Sequence, residues 1–273
     1  TDRVVTMAAS TLAQPKVVLP GDDVTSIVLE TKHKIKPKLG TGLSSGGIDD
    51  KKIFATMAGR LEHRRSNNTW FVLHNAKRYI PAVEDRVLGV VEDRAGSDGG
   101  ADIYRVNIGG PHPAMLSSLA FEGATKRNKP QFDSGTLIYA RLISDGSIMD
   151  PALSCQNGPL DVGVPRKDWM TNEGAYGELR GGTVRKISLG LARELLHPNC
   201  VVLTELENRK LAFEVCVGVN GWVWVHSERP EYTILITNAI VNSEVMTVEQ
   251  VRAMVKALVD TVQKQLQDDG DDE

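Results

Sequence analysis

The sequence predicts a mainly β protein that ends in an α+β domain. From residue 16 to about residue 156, short apolar runs recur between Gly, Pro and Asp, and no long amphipathic helix interrupts them. After residue 187 the apolar residues take up helical spacing instead. A chain of 273 residues, of which 41% are hydrophobic, is long enough for roughly one to three compact domains. We expect three domains in order along the chain.

The first predicted domain, residues 16–75, is all-β. Lys16–Leu19 is typical of a strand, and it leads into Pro20 and Gly21, which favour a turn because proline fixes φ and glycine permits the bend. The Gly/Ser-rich segment 39–47 is predicted to be a flexible loop. Further apolar runs are predicted to be strands: 27–29, 53–57 and 70–73.

The second predicted domain, residues 76–156, is a small closed barrel. Apolar or alternating runs of strand length follow one another at short intervals: 87–91, 103–108, 114–119 and 137–143. In the second run Tyr104, Val106 and Ile108 fall on one face, which is typical of a half-buried strand. Four or five such strands without a long helix indicate an OB fold, whose face and loops bind oligonucleotides.

The third predicted domain, residues 157–266, mixes helices and strands. Ser188 is suited to cap a short helix that must end before Pro198. Residues 247–250 have the spacing of a capping box, and the apolar positions that follow predict a long terminal helix. Apolar runs between these helices are predicted to be strands: 201–204, 211–217, 222–225 and 232–237. This mixture suits a KH-like fold.

The tetrad Gly218-Val219-Asn220-Gly221 has two interpretations. A G-x-x-G loop in a KH domain clamps single-stranded RNA. An Asn-Gly pair between two apolar runs is also the strongest short-range signal for a two-residue hairpin turn. The tetrad alone favours the turn, so an RNA-binding function needs support from other residues.

Composition and motifs argue against catalytic, metal and membrane functions. The six histidines and the three cysteines show no metal-ligand or redox spacing, so the cysteines are expected to be reduced apolar fillers. The acidic doublets at 22–23 and 49–50 are better explained as caps of bends than as magnesium ligands. No apolar stretch approaches the length of a membrane span. We expect no cofactor and no membrane contact, with a disordered tail at 1–15 and an acidic tail at 267–273.

Local basic patches are the remaining candidates for chemistry. The formal net charge is −3, so nucleic acid contact must depend on such patches. Lys126, Arg127 and Lys129 lie in the loop before the last long barrel strand, where OB folds use loops to hold oligonucleotides. Phe121 and Phe132 flank this loop, with core packing as their default role. The basic segment 32–38 fits a phosphate contact and a solvated loop equally well.

Three strings carry a family resemblance: residues 16–22 (KVVLPGD), 116–128 (LSSLAFEGATKRN) and 218–221 (GVNG) with Trp224. They resemble the cap subunits of the eukaryotic RNA exosome, in the family of exosome component three, also called ribosomal RNA-processing protein 40. The similarity spans roughly residues 16 to 265, and the middle string is too long for a chance match.

The resemblance implies a non-catalytic subunit with an N-terminal β domain, an OB barrel of the ribosomal S-one type and a C-terminal KH domain. Its expected partners are RNA, the RNase-PH-like ring subunits, the other cap subunits and an associated hydrolytic exonuclease. Its expected locations are the nucleus, the nucleolus and the cytoplasm. Lys126, Arg127 and Lys129 are the implied phosphate contacts, with Arg105 a weaker one. Gly218, Asn220, Gly221 and Trp224 are implied to be structural, as are Pro20 and Gly21.

The chain departs from the family pattern in two places, and two other functions stay open. Residues 157–183 look like an insertion between barrel and KH domain, and the Asp-Gly-Gly at 98–100 lengthens a barrel loop. The alternatives are a free-standing OB/KH protein of the ribosome or of translation, and a nuclease that uses the acidic doublets.

Overall fold

The computed structural model describes residues 16–30, 37–46, 52–64, 68–74, 78–98, 101–146, 149–159, 161, 163–164, 166–171, 174–209 and 211–268. The chain forms two compact units, residues 1–75 and residues 76–273. Within the described ranges, no helix combines the length and the apolar character that a membrane crossing requires. The predicted segments 32–36, 49–50 and 99–100 lie outside these ranges, as do both predicted tails apart from residues 267 and 268.

The described residues of the first unit form two small sheets and one short helix. Its elements are β1 (Val17–Val18), α1 (Thr25–Glu30), β2 (Lys38–Leu39), β3 (Leu43–Gly46), β4 (Lys52–Ala55), β5 (Gly59–Arg64) and β6 (Thr69–Leu73). One sheet has the order β1-β5-β6-β2, and β3 pairs with β4 in a hairpin. Val18, Val28, Leu61 and Val72 are among the buried side chains of the core.

The predicted turn at Pro20 and Gly21 is confirmed. Gly21 has φ +95°, a backbone conformation that favours glycine, and the Asp22 amide donates to the Leu19 carbonyl at 3.1 Å. The Asp22 carboxylate accepts the Leu19 N–H at 2.8 Å, and the Asp23 carboxylate accepts the Thr25 N–H at 2.9 Å. The first acidic doublet therefore closes a turn and caps α1, as the sequence favoured.

Two predictions for the first unit are wrong. Residues 27–29, predicted to be a strand, lie in α1, because the cap at Asp23 starts a helical turn that buries Val28. The Gly/Ser-rich segment is ordered as a strand over Leu43–Gly46. Gly42 there approaches the side chain of Val72, so that an added Cβ would lie 2.7 Å from it. The glycine permits close packing at this point, and the segment is not a flexible loop.

The second unit begins with a closed barrel. Its strands are β7 (Arg86–Asp98), β8 (Ala101–Asn107), β9 (Ala114–Phe121), β10 (Leu137–Ser144), β11 (Ala152–Cys155) and β12 (Gly177–Leu179). The sheet order is β11-β9-β8-β7-β10-β12, and an additional pairing of β11 with β10 closes a five-stranded barrel. The four predicted strands are confirmed. The alternation in β8 is also as predicted, with Tyr104 and Val106 buried and Arg105 exposed.

The segment predicted to be an insertion contributes to both parts of the second unit. β12 adds to the barrel sheet beside β10, and β13 (Thr183–Lys186) pairs with the C-terminal sheet. Asp161 lies between β11 and β12 in the sequence. Its carboxylate is buried and accepts hydrogen bonds from Arg86 at 2.5 Å and from the Tyr176 hydroxyl at 3.0 Å. These contacts attach the segment to the barrel.

The C-terminal part places helices on a three-stranded sheet. Its further elements are α2 (Leu189–Leu195), α3 (Val201–Asn208), β14 (Glu214–Gly218), β15 (Trp222–His226), α4 (Pro230–Ser243) and α5 (Val248–Asp268), with sheet order β13-β15-β14. The predicted caps are present. Ser188 Oγ accepts the Leu191 N–H at 3.1 Å, and the Thr247 N–H donates to the Gln250 side chain at 2.9 Å.

Two predicted strands in this part are wrong, because residues 201–204 lie in α3 and residues 232–237 lie in α4. Short apolar runs do not separate a buried helix from a strand by periodicity alone. The wider pattern is helical, since Val202 and Leu206 are buried four residues apart, as are Ile236 and Ile240.

Candidate nucleic-acid interface

The loop between β9 and β10 presents Lys126 and Arg127 at the tip of a tight turn. The Thr125 N–H donates to the Asn128 carbonyl at 2.8 Å, and the Asn128 N–H donates to Thr125 Oγ1 at 3.1 Å. Lys126 and Arg127 lie between these bonded residues and are exposed. Among the described residues, neither side chain has an ion-pair partner. The turn holds two unneutralised cations side by side in solvent.

Neighbouring residues hold the chain on both sides of this turn. The Trp169 N–H donates to the Glu122 carbonyl at 3.1 Å, and the Asn128 side-chain amide lies 3.3 Å from the Met170 sulfur. On the other side, Phe132 packs against the rings of Phe121 and Tyr104. Phe121 is buried in the barrel core, so both flanking phenylalanines serve packing, as the sequence favoured.

Lys129 follows the turn, and a buried carboxylate holds it. Its ammonium lies 2.9 Å from Asp102 Oδ2, while Arg94 of β7 contacts Asp102 Oδ1. Asp102 is 4% exposed. The hydrogen bond from Lys129, followed by the charge of Arg94, holds the pKa of Asp102 below its ordinary value against the opposing effect of burial. Lys129 is thus an anchor of the loop.

Arg105 lies on the β7–β8 hairpin with its charge matched by Asp93. Its Nε is 2.7 Å from Asp93 Oδ1, and its Nη2 contacts Oδ2, so the pair is bidentate. Both side chains are about half exposed. This pairing raises the pKa of Arg105 and lowers that of Asp93. The four predicted phosphate contacts therefore divide into two open cations, Lys126 and Arg127, and two that carboxylates already hold.

The G-x-x-G tetrad forms the hairpin between β14 and β15, which confirms the turn interpretation. The predicted loop length is wrong, because Gly218 pairs with Trp222 and three residues, not two, connect the strands. Gly221 has φ +78°, and a Cβ there would lie 2.8 Å from the Ile187 carbonyl. A Cβ on Gly218 would lie 2.8 Å from the Leu88 amide nitrogen and would overlap the side chain of Asn220. The positive φ at Gly221 favours glycine there. At Gly218 the barrel backbone approaches too closely to leave room for a side chain.

Asn220 is buried and bonds the hairpin to the barrel. Its Nδ2 donates to the carbonyls of Leu88 at 2.7 Å and Ile108 at 2.8 Å, and its Oδ1 accepts the Leu88 N–H at 3.3 Å. Leu88 pairs with Tyr139 of β10, but the pairing of β7 with β8 begins only at Val90. On the β8 side, the side-chain amide of Asn220 therefore takes the place of a strand partner for Leu88. The tetrad is thus a joint between barrel and KH-like part.

Trp224 belongs to the same joint. It is 3% exposed and clusters with Leu88 and Trp222. Its indole N–H donates to the Gly181 carbonyl at 2.9 Å. The sequence placed this side chain in a core, and the structure places it between the two sheets.

An RNA-clamping loop of a KH domain is expected to join two helices, and the loop that joins α2 to α3 in this chain has no glycine. Residues 196–200, Leu-His-Pro-Asn-Cys, connect α2 to α3. The Asn199 N–H donates to the ring nitrogen of His197 at 3.3 Å, and the Cys200 N–H donates to the His197 carbonyl at 3.0 Å. This connector therefore lacks the glycine-rich backbone that clamps nucleotides.

Metal and nucleophile chemistry find no support in the described residues. Over those ranges, no His, Cys, Asp and Glu side chains form a group of three that suits a metal ion. Burial raises the pKa of the Cys155 thiol, and burial followed by the charge of Glu214 raises that of Cys216 to about 11. A raised pKa disfavours the thiolate form of these two cysteines at neutral pH.

The sequence did not predict the ion pairs of Arg94, Asp102 and Asp161. The Gly-Gly pair at 99–100 was a usable signal, because it favours a hairpin that brings Arg94 and Asp102 to one end of the barrel. The pairing of Asp98 with Ala101 matches such a hairpin. No spacing rule would have found Asp161, whose partners Arg86 and Tyr176 lie far apart in sequence.

Comparisons with known proteins match both parts of the second unit. The family described as "Exosome complex component RRP40, S1 domain" matches residues 79–161, and a KH domain family matches residues 182–231. The Drosophila melanogaster exosome complex component RRP40 is 38% identical over 228 residues, which are 84% of this chain and 89% of that protein. The Schizosaccharomyces pombe exosome complex component rrp40 is 35% identical over 243 residues, 88% of this chain and 93% of that protein.

One solved structure shares the fold at low identity. It is described provisionally as an exosome complex RNA-binding protein, with a TM-score of 0.50 and 18% identity. The match covers 69% of this chain and 99% of the solved chain. This likeness concerns the fold alone.

Proposed function

Because the chain belongs to the family of exosome complex component RRP40, we propose that it is an RNA-binding cap subunit of the RNA exosome. Its bound substrate is single-stranded RNA on its way to 3′-to-5′ processing. The observation that carries the site is the turn at Thr125–Asn128, which exposes Lys126 and Arg127 without an ion-pair partner among the described residues.

Electrostatics support this site over the rest of the barrel. The chain has a formal net charge of −3, so a phosphate backbone gains only from local clusters of unmatched cations. Arg105 forms a bidentate pair with Asp93 and adds little field outside the protein. Lys126 and Arg127 add two full charges at one turn. We therefore assign the phosphate contacts to these two residues.

The KH domain has a structural role in this proposal. Its tetrad bonds to the barrel through Asn220, and its helix connector at 196–200 lacks the clamp glycines. The domain holds the barrel in a fixed orientation, and RNA lies against the barrel. The subunit has no catalytic residues of its own, and its partners are the RNase-PH-like ring subunits, the other cap subunits and a hydrolytic exonuclease. It acts in the nucleus, the nucleolus and the cytoplasm.

The RNA site is tested with Lys126→Ala combined with Arg127→Ala. Binding of a labelled single-stranded RNA is measured as a function of salt, because each lost phosphate contact lowers the salt slope by about 0.7 on single strands. We expect weaker binding and a slope smaller by about 1.4 for two contacts. Lys256→Ala with Lys264→Ala removes the same charge from exposed positions of α5 and is the matched control.

If both double variants lower affinity and slope equally, bulk charge explains the effect and the turn is not the site. An unchanged slope in the first variant also removes Lys126 and Arg127 from the interface. A tagged full chain purified at moderate salt is expected to bring RNase-PH-like subunits with it. Recovery of ribosomal proteins without those subunits would favour the free-standing alternative. RNA cleavage that Asp22→Asn abolishes would favour the nuclease alternative.

A further inference from the structure

Asp102 lies at a junction of three barrel segments. It is in β8, close to the β7–β8 hairpin, and its backbone N–H donates to the buried Ser118 Oγ of β9 at 2.9 Å. One carboxylate oxygen contacts Arg94 of β7, and the other lies 2.9 Å from Lys129 of the β9–β10 loop. The carboxylate is buried, so these two cations replace its water shell.

We propose that Asp102 is a positioning residue that builds one composite phosphate site from Arg94 and the Lys126–Arg127 turn. The proposal rests on the function proposed above and extends its site to a second barrel segment. Arg94 is a further RNA contact, and Asp102 acts on RNA only through the residues that it holds.

The charge and exposure of the cluster support Arg94 as a ligand. Asp102 is a shared partner of two cations, Arg94 and Lys129. Lys129 is 19% exposed and is occupied as the inner partner, whereas Arg94 is 59% exposed. A guanidinium has five N–H donors in a planar fork, so Arg94 keeps donors for a phosphate while Asp102 fixes its orientation.

The link from Asp102 to the turn is short and stiff. Lys129 directly follows Asn128, whose two backbone bonds to Thr125 close the turn. Pro130 comes next and is buried, so the chain has little freedom on that side of the anchor. Holding Lys129 therefore sets the place of Lys126 and Arg127, and preorganised contacts lose less entropy when RNA binds.

Asp102→Asn distinguishes this proposal from a simple charge effect, because the two predict opposite changes in RNA affinity. The substitution removes a negative charge beside two cations, Arg94 and Lys129, so electrostatics alone would tighten RNA binding. If Asp102 positions the site, binding weakens although the local charge becomes more positive. Asp93→Asn is the matched control, because it makes the same change at an exposed carboxylate on the same hairpin.

The experiment uses the full chain and a fluorescein-labelled uridine homopolymer of about ten nucleotides, which lies within the roughly 4 to 16 nucleotides that an OB fold covers. Affinity is measured from low to moderate salt beside the thermal unfolding midpoint. We expect Asp102→Asn to weaken binding on the order of three- to tenfold, as loss of oriented contacts implies. Asp93→Asn should leave affinity equal or higher. Equal or tighter binding by folded Asp102→Asn overturns the proposal.

Further variants separate this proposal from the function on which it rests. In the Lys126→Ala, Arg127→Ala background, Asp102→Asn should have a clearly smaller effect, since contacts that act as a unit are not additive. Additive effects would overturn the coupling. If Asp102→Asn fails to fold, Arg94→Gln decides, with an expected fall in salt slope of about 0.7. An unchanged slope for Arg94→Gln overturns the composite site, whereas failure of the Lys126→Ala, Arg127→Ala test removes the proposed RNA site on which the composite site rests.

Discussion

Asn220→Ala tests whether the tetrad is a joint between barrel and KH domain. The substitution removes three hydrogen bonds, at 2.7, 2.8 and 3.3 Å, and leaves three backbone groups of Leu88 and Ile108 without their side-chain partner in a buried place. A net cost of about 1 to 1.5 kcal/mol for each of the three bonds gives about 3 to 4.5 kcal/mol for the variant. Lost packing around the amide adds to this value.

Urea unfolding followed by tryptophan fluorescence measures the cost, because Trp222 and Trp224 are buried in the joint and report its opening. Asn238→Ala is the matched control. Asn238 is exposed on α4, and its replacement should change the free energy of unfolding by less than about 0.5 kcal/mol. A cost below about 1 kcal/mol for Asn220→Ala would refute the argument, since no buried network of three bonds could then exist at this position.

Two further changes are expected to alter stability. Trp224→Ala should cost about 3 to 5 kcal/mol by urea unfolding, whereas Trp224→Phe, which loses mainly the bond to Gly181, should cost about 1 to 2 kcal/mol; equal costs would contradict this. Burial opposes ionisation of Asp161, but bonds from Gly158 and Tyr176 and the charge of Arg86 hold its pKa below the ordinary value. Its carboxylate therefore stabilises the fold above its ordinary pKa of about 3.9 and loses that contribution as pH falls through the lower folded value. Asp161→Asn should flatten the fall in unfolding midpoint over that acidic window, and parallel curves would contradict it.

The barrel was predictable because its strands keep a two-residue alternation between core and solvent. Tyr104 and Val106 point inward and Arg105 outward, so the pattern alone defines β8. Helix starts were also predictable where a side chain caps the backbone locally, as Ser188 does for α2. In each case the physical cause lies within a few residues of sequence.

The helices α1, α3 and α4 were not predictable by the same means. Their apolar runs are short, and a run of four or five apolar residues has the same appearance in a buried helix and a buried strand. Burial of Val202 and Leu206 on one face becomes visible only when the helix packs on its sheet. The pairing of Lys129 and Arg94 with Asp102 was likewise not predictable from local sequence, because the loop and the hairpin meet only in the folded barrel.

A tetrad that clamps phosphate must leave its backbone N–H groups open to solvent. In this chain the Val219 N–H donates to the Arg86 carbonyl at 2.9 Å, and the Gly221 N–H donates to the Gly218 carbonyl at 3.1 Å. The side-chain amide of Asn220 also donates hydrogen bonds to the barrel, to the carbonyls of Leu88 and Ile108. A phosphate at the tetrad would have to displace these partners, whereas at the Thr125–Asn128 turn it meets exposed cations. Competition with protein hydrogen bonds therefore favours the barrel turn as the RNA contact and the tetrad as the joint that keeps that turn in place.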